Sequence, residues 1–459
     1  MTHDISQPPR LLIVDQSLLD TNGHYYEYDL SIIRAANLAG IEPILASNRR
    51  MMRALDFHGT QVLPIFTQGW SEAHRGLFSR LFLRVAESLP EILARQILLC
   101  ARRLKRLVMP ASHMTHAETT PPSSGHPTAV PFSRAPTVEF GRELLNAIRD
   151  IGLGQNDHVF IHTIGLHELD SLLDSLPEPL LLAGPTLHVV LRRDPYENKM
   201  ASGSRGGIAI TLSRARPLAS KTGKLKFYTD TEQLASAYRG IAPEIEICVI
   251  PIIQEMPDLP PDTGAKNAGQ PLRILYAGNA RMEKGFDLLP AAAQAIREHY
   301  LETGRAQMVI QANDSVVGGE VGIYEARQKL GVYPSSQVEL INHPLSVPDF
   351  HRLILSSDIV LLPYDAGAYR NRSSGILLQA LVAGKVVVVP DNTWLSAQIT
   401  EETGRTYEAP ETFPNALISA LENIGYLSLN ARAQAPSWRE RHETHHLISA
   451  LISSAPAPE

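Results

Sequence analysis

Two cysteines in 459 residues are too few for a disulfide framework. Cys100 and Cys248 lie far apart in apolar surroundings. They exclude a Cys-x-x-Cys metal site and read as buried thiols of a reducing compartment. No uncharged apolar run approaches the roughly 18 to 20 residues that cross a bilayer. An excess of basic charge is also missing: the net charge is -6, which argues against nucleic acid as a partner. There is no nucleophile elbow, P-loop or Gly-x-Gly-x-x-Gly fingerprint, which weakens hydrolase, kinase and dehydrogenase readings. The opening Met1-Thr2-His3-Asp4-Ile5-Ser6-Gln7-Pro8-Pro9 is too polar for a secretory signal, so a cytoplasmic protein is expected.

What is present is globular: 44 % apolar and 20 % charged residues, in a chain long enough for two domains of about 200 residues each. Residues 10–14 (Arg-Leu-Leu-Ile-Val) form a short apolar run ending at Asp15, as a strand buried on both faces does. A polar loop with Gly23 follows, then a periodic helical stretch from Tyr25 to Leu38 stopped by Gly40, then a strand over Pro43–Ala46. Strand, glycine loop, helix, strand is the opening of a Rossmann-like half. Further apolar runs fall at Val159–Ile161, Leu187–Leu191, Lys226–Tyr228 and Ile247–Ile250. Residues 71–108 read as two helices separated at Pro90, and 109–136 is rich in Pro, Ser, Thr and His. The segment 71–136 is therefore expected to be an insertion in a first domain spanning 1–256.

A linker follows, marked by Pro251, Pro257, Pro260 and Pro261. Beyond it the alternation is cleaner. Strands are expected at Leu272–Ala277, Met308–Gln311, Val338–Ile341, Ile359–Leu362 and Val386–Val389. Helices are expected at Phe286–Glu298, Val321–Leu330, Val347–Leu355 and Ser374–Val382. This predicts a second doubly wound parallel sheet over 271–435, facing the first across a cleft, with a C-terminal helix and tail over 436–459.

In such sheets ligands bind beyond the carboxyl ends of the strands, at helix N-termini. Two loops of the second domain meet that condition. In Ala277-Gly278-Asn279-Ala280-Arg281-Met282-Glu283-Lys284-Gly285, Gly278 permits a tight turn, and Arg281 and Lys284 bring cations to the helix end. That suits a diphosphate, although an ordinary charged surface loop has the same composition. The second loop runs from Tyr364 to Gly375. Ser373 or Ser374 would cap the following helix, leaving free amides beside Arg370 and Arg372. The bland alternative leaves the serines as caps and the arginines in water.

The stretch Tyr276–Leu289, with Gly278, Arg281 and Glu283-Lys284-Gly285, resembles the signature of GT4-type glycosyltransferases. Pro363-Tyr364-Asp365 and Ser373-Ser374-Gly375-Ile376-Leu377-Leu378-Gln379 resemble that family's donor-sugar and ribose segment. Tyr369-Arg370-Asn371-Arg372-Ser373-Ser374-Gly375 is similar to a bacterial branch of it. Weaker likenesses lie at Asn22–Tyr28 and Phe227–Leu234. The resemblance implies an α/β GT-B architecture and a retaining sugar transfer from a nucleotide-diphosphate sugar to a glycan or lipid-linked acceptor. It implies no metal and no separate cofactor, consistent with the absence of an Asp-x-Asp pair.

On that resemblance Lys284 is the phosphate-binding lysine, and Arg281 supplies the second charge because Asn279 occupies the family's arginine position. Asn371 and Gln379 stand where the family has a pair of glutamates; a glutamine offers one neutral acceptor and an amide donor. Gly23 and His24 fit the glycine loop under the diphosphate. His162, closing the strand Val159–Ile161, falls where relatives carry a histidine near the donor sugar, or else is a hydrogen-bonded structural histidine. Arg193 and Asp194 orient an acceptor or form a local ion pair with Arg192.

Other readings remain. The loss of both glutamates fits a degenerate nucleotide-sugar-binding or regulatory subunit, and a nucleotide-sugar epimerase is a third class. The basic apolar stretch Arg95–Arg106 is either a solvated packed helix or one that lies on anionic membrane. His442, His445 and His446 read as a solvated helix face rather than a metal cluster.

Overall fold

The computed structural model describes residues 8–20, 25–52, 55–69, 139–195, 204–253, 270–313 and 321–452. The expected insertion at 71–136, with Arg95–Arg106 and Cys100, lies outside the described residues, as do Asn22, Gly23 and His24.

The first domain is a seven-stranded parallel sheet in the order β3-β2-β1-β4-β5-β6-β7. Its strands are β1 (Arg10–Asp15), β2 (Glu42–Asn48), β3 (Gln61–Phe66), β4 (His158–Ile161), β5 (Thr186–Val190), β6 (Leu225–Thr229) and β7 (Ile247–Val249). Leu11 through Asp15 are buried, because helices cover both faces of this central strand. On one face lie α2 (Glu139–Ile151), α3 (Leu166–Ser175), α5 (Ser204–Thr222) and α6 (Glu232–Arg239); the short α4 (Glu178–Ala183) precedes β5. On the other face lies α1 (Tyr25–Leu38). The strand β3 was not expected from the sequence. It is an edge strand, where Pro64 withholds a hydrogen bond that no neighbour needs.

The second domain repeats the winding with six parallel strands in the order β10-β9-β8-β11-β12-β13. They are β8 (Leu272–Tyr276), β9 (Ala306–Gln311), β10 (Val338–Ile341), β11 (Ile359–Leu361), β12 (Val386–Pro390) and β13 (Gly404–Tyr407). The single helix expected over Phe286–Glu298 is three pieces: a 3₁₀ turn at Phe286–Leu288, α7 (Leu289–Ala295) and a π turn at Arg297–Leu301. Pro290 has no N–H for the Phe286 carbonyl, so the α-helix proper starts only at Leu289. The other helices are α8 (Val321–Leu330), α9 (Val347–Ser356), α10 (Gly375–Val382) and α11 (Phe413–Glu422). Ser374 caps α10 by accepting from the Leu377 amide at 3.3 Å.

A long helix, α12 (Ile424–Arg441), closes the second domain, and α13 (Thr444–Ile452) crosses back to the first. Leu447, Ile448 and Leu451 pack in the same cluster as Leu30, Ile32 and Ile33 of α1. At the crossing, His442 is buried and its Nδ1 donates to the Ile252 carbonyl at 2.6 Å, with Trp438 stacked on the ring. The expected solvated face therefore holds for His445, which pairs with Glu443 at 3.0 Å, and fails for His442. Cys248 is half-buried beside Glu246 rather than enclosed.

Candidate functional site

The two cation-bearing turns of the second domain meet. Gly278 has φ +103°, and a Cβ there would lie 3.1 Å from Lys284 Nζ and 2.9 Å from Ile376 in the first turn of α10. The lysine therefore reaches back over the glycine to the start of the helix, and only a bare α-carbon leaves it room. Gly285, at φ +65°, sits so close to Pro363 that a Cβ would fall 1.7 Å from the Pro363 carbonyl oxygen. The Asp365 amide donates to the Glu283 carbonyl at 3.0 Å, which completes the junction.

Electrostatically this corner is positive and partly unsatisfied. The Lys284 ammonium lies 5.6 Å from the centroid of Tyr364, itself buried and tilted against Tyr369. Burial lowers the Lys284 pKa to about 8, with Arg281 and then Arg372 adding repulsion against the pull of Glu283. No hydrogen bond from the ammonium is made among the described residues, nor from the amides of Gly375 and Ile376. Glu283 is held between Arg281 at 3.2 Å and Arg372 at 3.7 Å. Sequence reasoning gave Glu283 no role; its place inside the same turn as Lys284 was the available signal. Not every amide is free: Gly278 donates to Gln311 Oε1 at 2.7 Å.

The loop Tyr364–Gly375 also touches the first domain. Asn371 Nδ2 donates to Asp194 at 2.7 Å, and the Asn371 carbonyl accepts from the Thr231 hydroxyl at 2.7 Å. Thr231 simultaneously caps α6, accepting from the Leu234 amide. The Ser373 hydroxyl donates to Asp230 at 2.7 Å. Asp230 in turn pairs with Arg192 at 3.1 Å, and Arg192 also donates to the Tyr28 hydroxyl and the His162 carbonyl. Residues 371–373 thus lie at the groove between the domains. Asp230 and Thr231 lie in the weak likeness Phe227–Leu234 but carried no expected role, because separations of 140 residues or more leave no periodic trace.

No protein-family model matches the sequence, and no curated protein does. Solved structures do match in shape. Anabaena HepE in complex with UDP and glucose superposes with a TM-score of 0.58 at 12 % identity, over 97 % of this chain and 99 % of that one. The trehalose-6-phosphate synthase OtsA gives 0.61 at 14 % identity, over 98 % and 100 %. Sucrose-phosphate synthase from Thermosynechococcus elongatus gives 0.55 at 12 % identity, over 97 % and 96 %. The chain has the GT-B fold.

In this GT-B molecule the other expected residues fall as follows. Asn279 accepts from the Asn313 amide and so braces the Gly278 turn. Arg370 is exposed, while Gln379 is half-buried on α10. Arg193 is exposed at the end of β5, and its carbonyl accepts from Tyr238. Arg192 pairs with Asp230, and Asp194 accepts from Asn371. His162 is 3 % exposed, with Nε2 facing the carboxylates of Asp15 at 3.6 Å and Asp29 at 3.3 Å. Burial pulls its pKa down, but the two carboxylates more than reverse this and hold it above the ordinary histidine value.

Proposed function

We propose that the protein is a glycosyltransferase of the GT4 kind, transferring a sugar from a nucleotide-diphosphate sugar to a glycan or lipid-linked acceptor. One observation carries the reading: Lys284, a half-buried cation without a protein acceptor among the described residues, lies over Gly278 beside the Ile376 side chain in the first turn of α10, whose Gly375 and Ile376 amides make no bond among those residues. A diphosphate supplies both the charge and the acceptor oxygens that this corner lacks. As the glycosidic bond breaks, negative charge grows on the leaving diphosphate, and fixed cations and amides favour that state. Arg281 and Arg372 add charge once Glu283 yields to the ligand. In this reading no metal takes part at the leaving group, and the transfer is retaining. The structural neighbours support the donor class, since HepE was solved with UDP-glucose and an E. coli trehalose-6-phosphate protein with UDP-2-fluoro glucose.

Asn371 in place of the family's carboxylate fits the local chemistry. Its amide donates to Asp194, where a glutamate would set two carboxylates against each other. The substitution is therefore compatible with an active enzyme and does not favour the degenerate reading.

Calorimetric titration of the full chain with UDP, GDP and ADP tests the proposal. One of them is expected to bind and to raise the melting temperature, and Lys284→Ala should weaken that binding by about 10- to 100-fold. If no nucleoside diphosphate binds, or if the variant binds like the wild type, the placement is wrong.

A further inference from the structure

Beneath the first-domain face of the cleft, β1, α1 and β4 bring Asp15, Asp29 and His162 together. They are 3 %, 0 % and 3 % exposed, and their facing ligand atoms all lie within 4.8 Å of one another. Among the described residues, Asp15 Oδ2, both oxygens of Asp29 and His162 Nε2 make no hydrogen bond. Buried carboxylates are ordinarily satisfied, so four bare atoms converging on one point need a cause.

The histidine's protonation can be read from its neighbours. The Thr163 hydroxyl donates to the His162 carbonyl at 2.8 Å, so toward Nδ1, 3.2 Å away, it can only accept. Nδ1 therefore carries the hydrogen, and Nε2 is the atom turned to the carboxylates. Metal-bound histidines commonly have their second ring nitrogen fixed in this way. Asp15 is oriented too: the Ser17 amide occupies Oδ1 at 2.8 Å and leaves Oδ2 for the cluster.

Distance separates two explanations. An imidazolium bonded to a carboxylate has N···O of about 2.7–2.9 Å. The separations here are 3.3 and 3.6 Å. Ligand atoms at about 2.0–2.1 Å from a tetrahedral ion lie about 3.3 Å from one another. Charge is compatible with an ion: a neutral imidazole, two carboxylates and a divalent cation form a neutral cluster. The adjacent cation, Arg192, is already committed to Asp230 and Tyr28.

We infer that Asp15, Asp29 and His162 form a buried site for a divalent transition-metal ion, Zn²⁺ by ligand type and geometry, with water in the fourth position. The ion ties the end of β1 to α1 and β4. It is separate from the diphosphate corner, whose charge comes from Lys284, Arg281 and Arg372, so it stands or falls independently of the proposed activity.

The test is elemental analysis of the full chain purified without a metal-affinity step, then dialysed against Zn²⁺. About one ion per chain is expected. Asp29→Asn and His162→Gln should weaken binding by more than about 100-fold, since even second-shell partners account for 10- to 100-fold. A His445→Ala/His446→Ala variant should keep the ion and exclude those surface rings as its ligands. Should the cluster variants fail to fold, wild-type protein decides. Cobalt substitution should give the intense visible bands of a four-coordinate ion, and anomalous scattering should place a peak among the three side chains. Wild-type protein with no bound ion after Zn²⁺ or Co²⁺ dialysis, or a peak elsewhere, would overturn the inference.

Discussion

The two halves of the molecule wind their sheets in one order but finish their strands with opposite chemistry. In the first domain Asp15 and Asp230 end strands and Asp29 stands on α1, all buried; Asp230 is answered by Arg192, while Asp15 and Asp29 face His162. In the second, the strand ends carry Lys284, Arg281 and Arg372 around a single carboxylate, Glu283, with helix amides left open. One scaffold therefore gathers acids at one face of the groove and bases at the other, with Asp230 and Arg192 as the closed pair. Both helices that begin at the groove are capped alike, but the Thr231 hydroxyl of α6 also reaches across to the Asn371 carbonyl.

The sharpest way to break this comparison is at Gly285. Ala at that position keeps the left-handed backbone but drives a methyl into the Pro363 carbonyl, so the 278–285 and 363–375 turns cannot both stay. Gly285→Ala should cost about 3 kcal/mol or more in urea unfolding and abolish nucleoside-diphosphate binding. Retained stability would show that the two turns are not locked together.

Next in size is Asp230→Asn, which removes the partner of Arg192 and the charged acceptor for Ser373. Because Arg192 is partly exposed, the expected loss is about 2 kcal/mol rather than the full cost of breaking a buried pair. Small-angle scattering should show a larger radius of gyration as the domains separate. An unchanged radius would mean that the bridge contributes little to their contact.

Acidity probes the basic face. Lys284 titrates at about 8 in the empty protein, below the usual 10.5, because burial and then Arg281 disfavour its charge. Between those values the unfolded chain binds more protons than the folded one, so the empty protein should gain stability as pH rises through this window. Diphosphate binding needs the charged form. Affinity should therefore fall by up to about tenfold per unit above pH 8. A flat profile to pH 9 in calorimetric titrations would show that Lys284 carries none of the binding. The smallest change is Ser374→Ala, where losing the cap of α10 should cost about 1 kcal/mol in urea unfolding.

Much of the second domain was legible because its strands are short, apolar on both faces and separated by helical repeats. Val321–Leu330 and Val338–Ile341 fall at the expected bounds. The turns that carry Gly278, Lys284 and Ser374 were legible through their motifs. What escaped was set by position rather than pattern. The edge strands β3 and β13 are only partly buried and include Gln61, Pro64 and Arg405, so they lack the continuous apolar run of a central strand. The Asp15–Asp29–His162 cluster draws on three elements whose proximity only the sheet order creates. His162 and Asp15 were visible as the ends of strands, but Asp29 on α1 and the meeting of the three were not. The link from Ser373 through Asp230 to Arg192 was equally hidden, since each residue alone reads as an ordinary polar side chain.

The bond between His442 and Ile252 has a mechanical consequence. The chain passes between the halves once near residue 253 and again near residue 443, and this bond pins the two passages side by side. Two strands of chain tied at one place act as a door hinge and not as a ball joint. Swinging about that edge is opposed only by the bonds across the groove, such as Asn371 to Asp194 and Ser373 to Asp230, while twisting or sliding of one half past the other is also resisted at the hinge. When those bonds part, the groove can therefore widen and return to the same alignment each time it shuts.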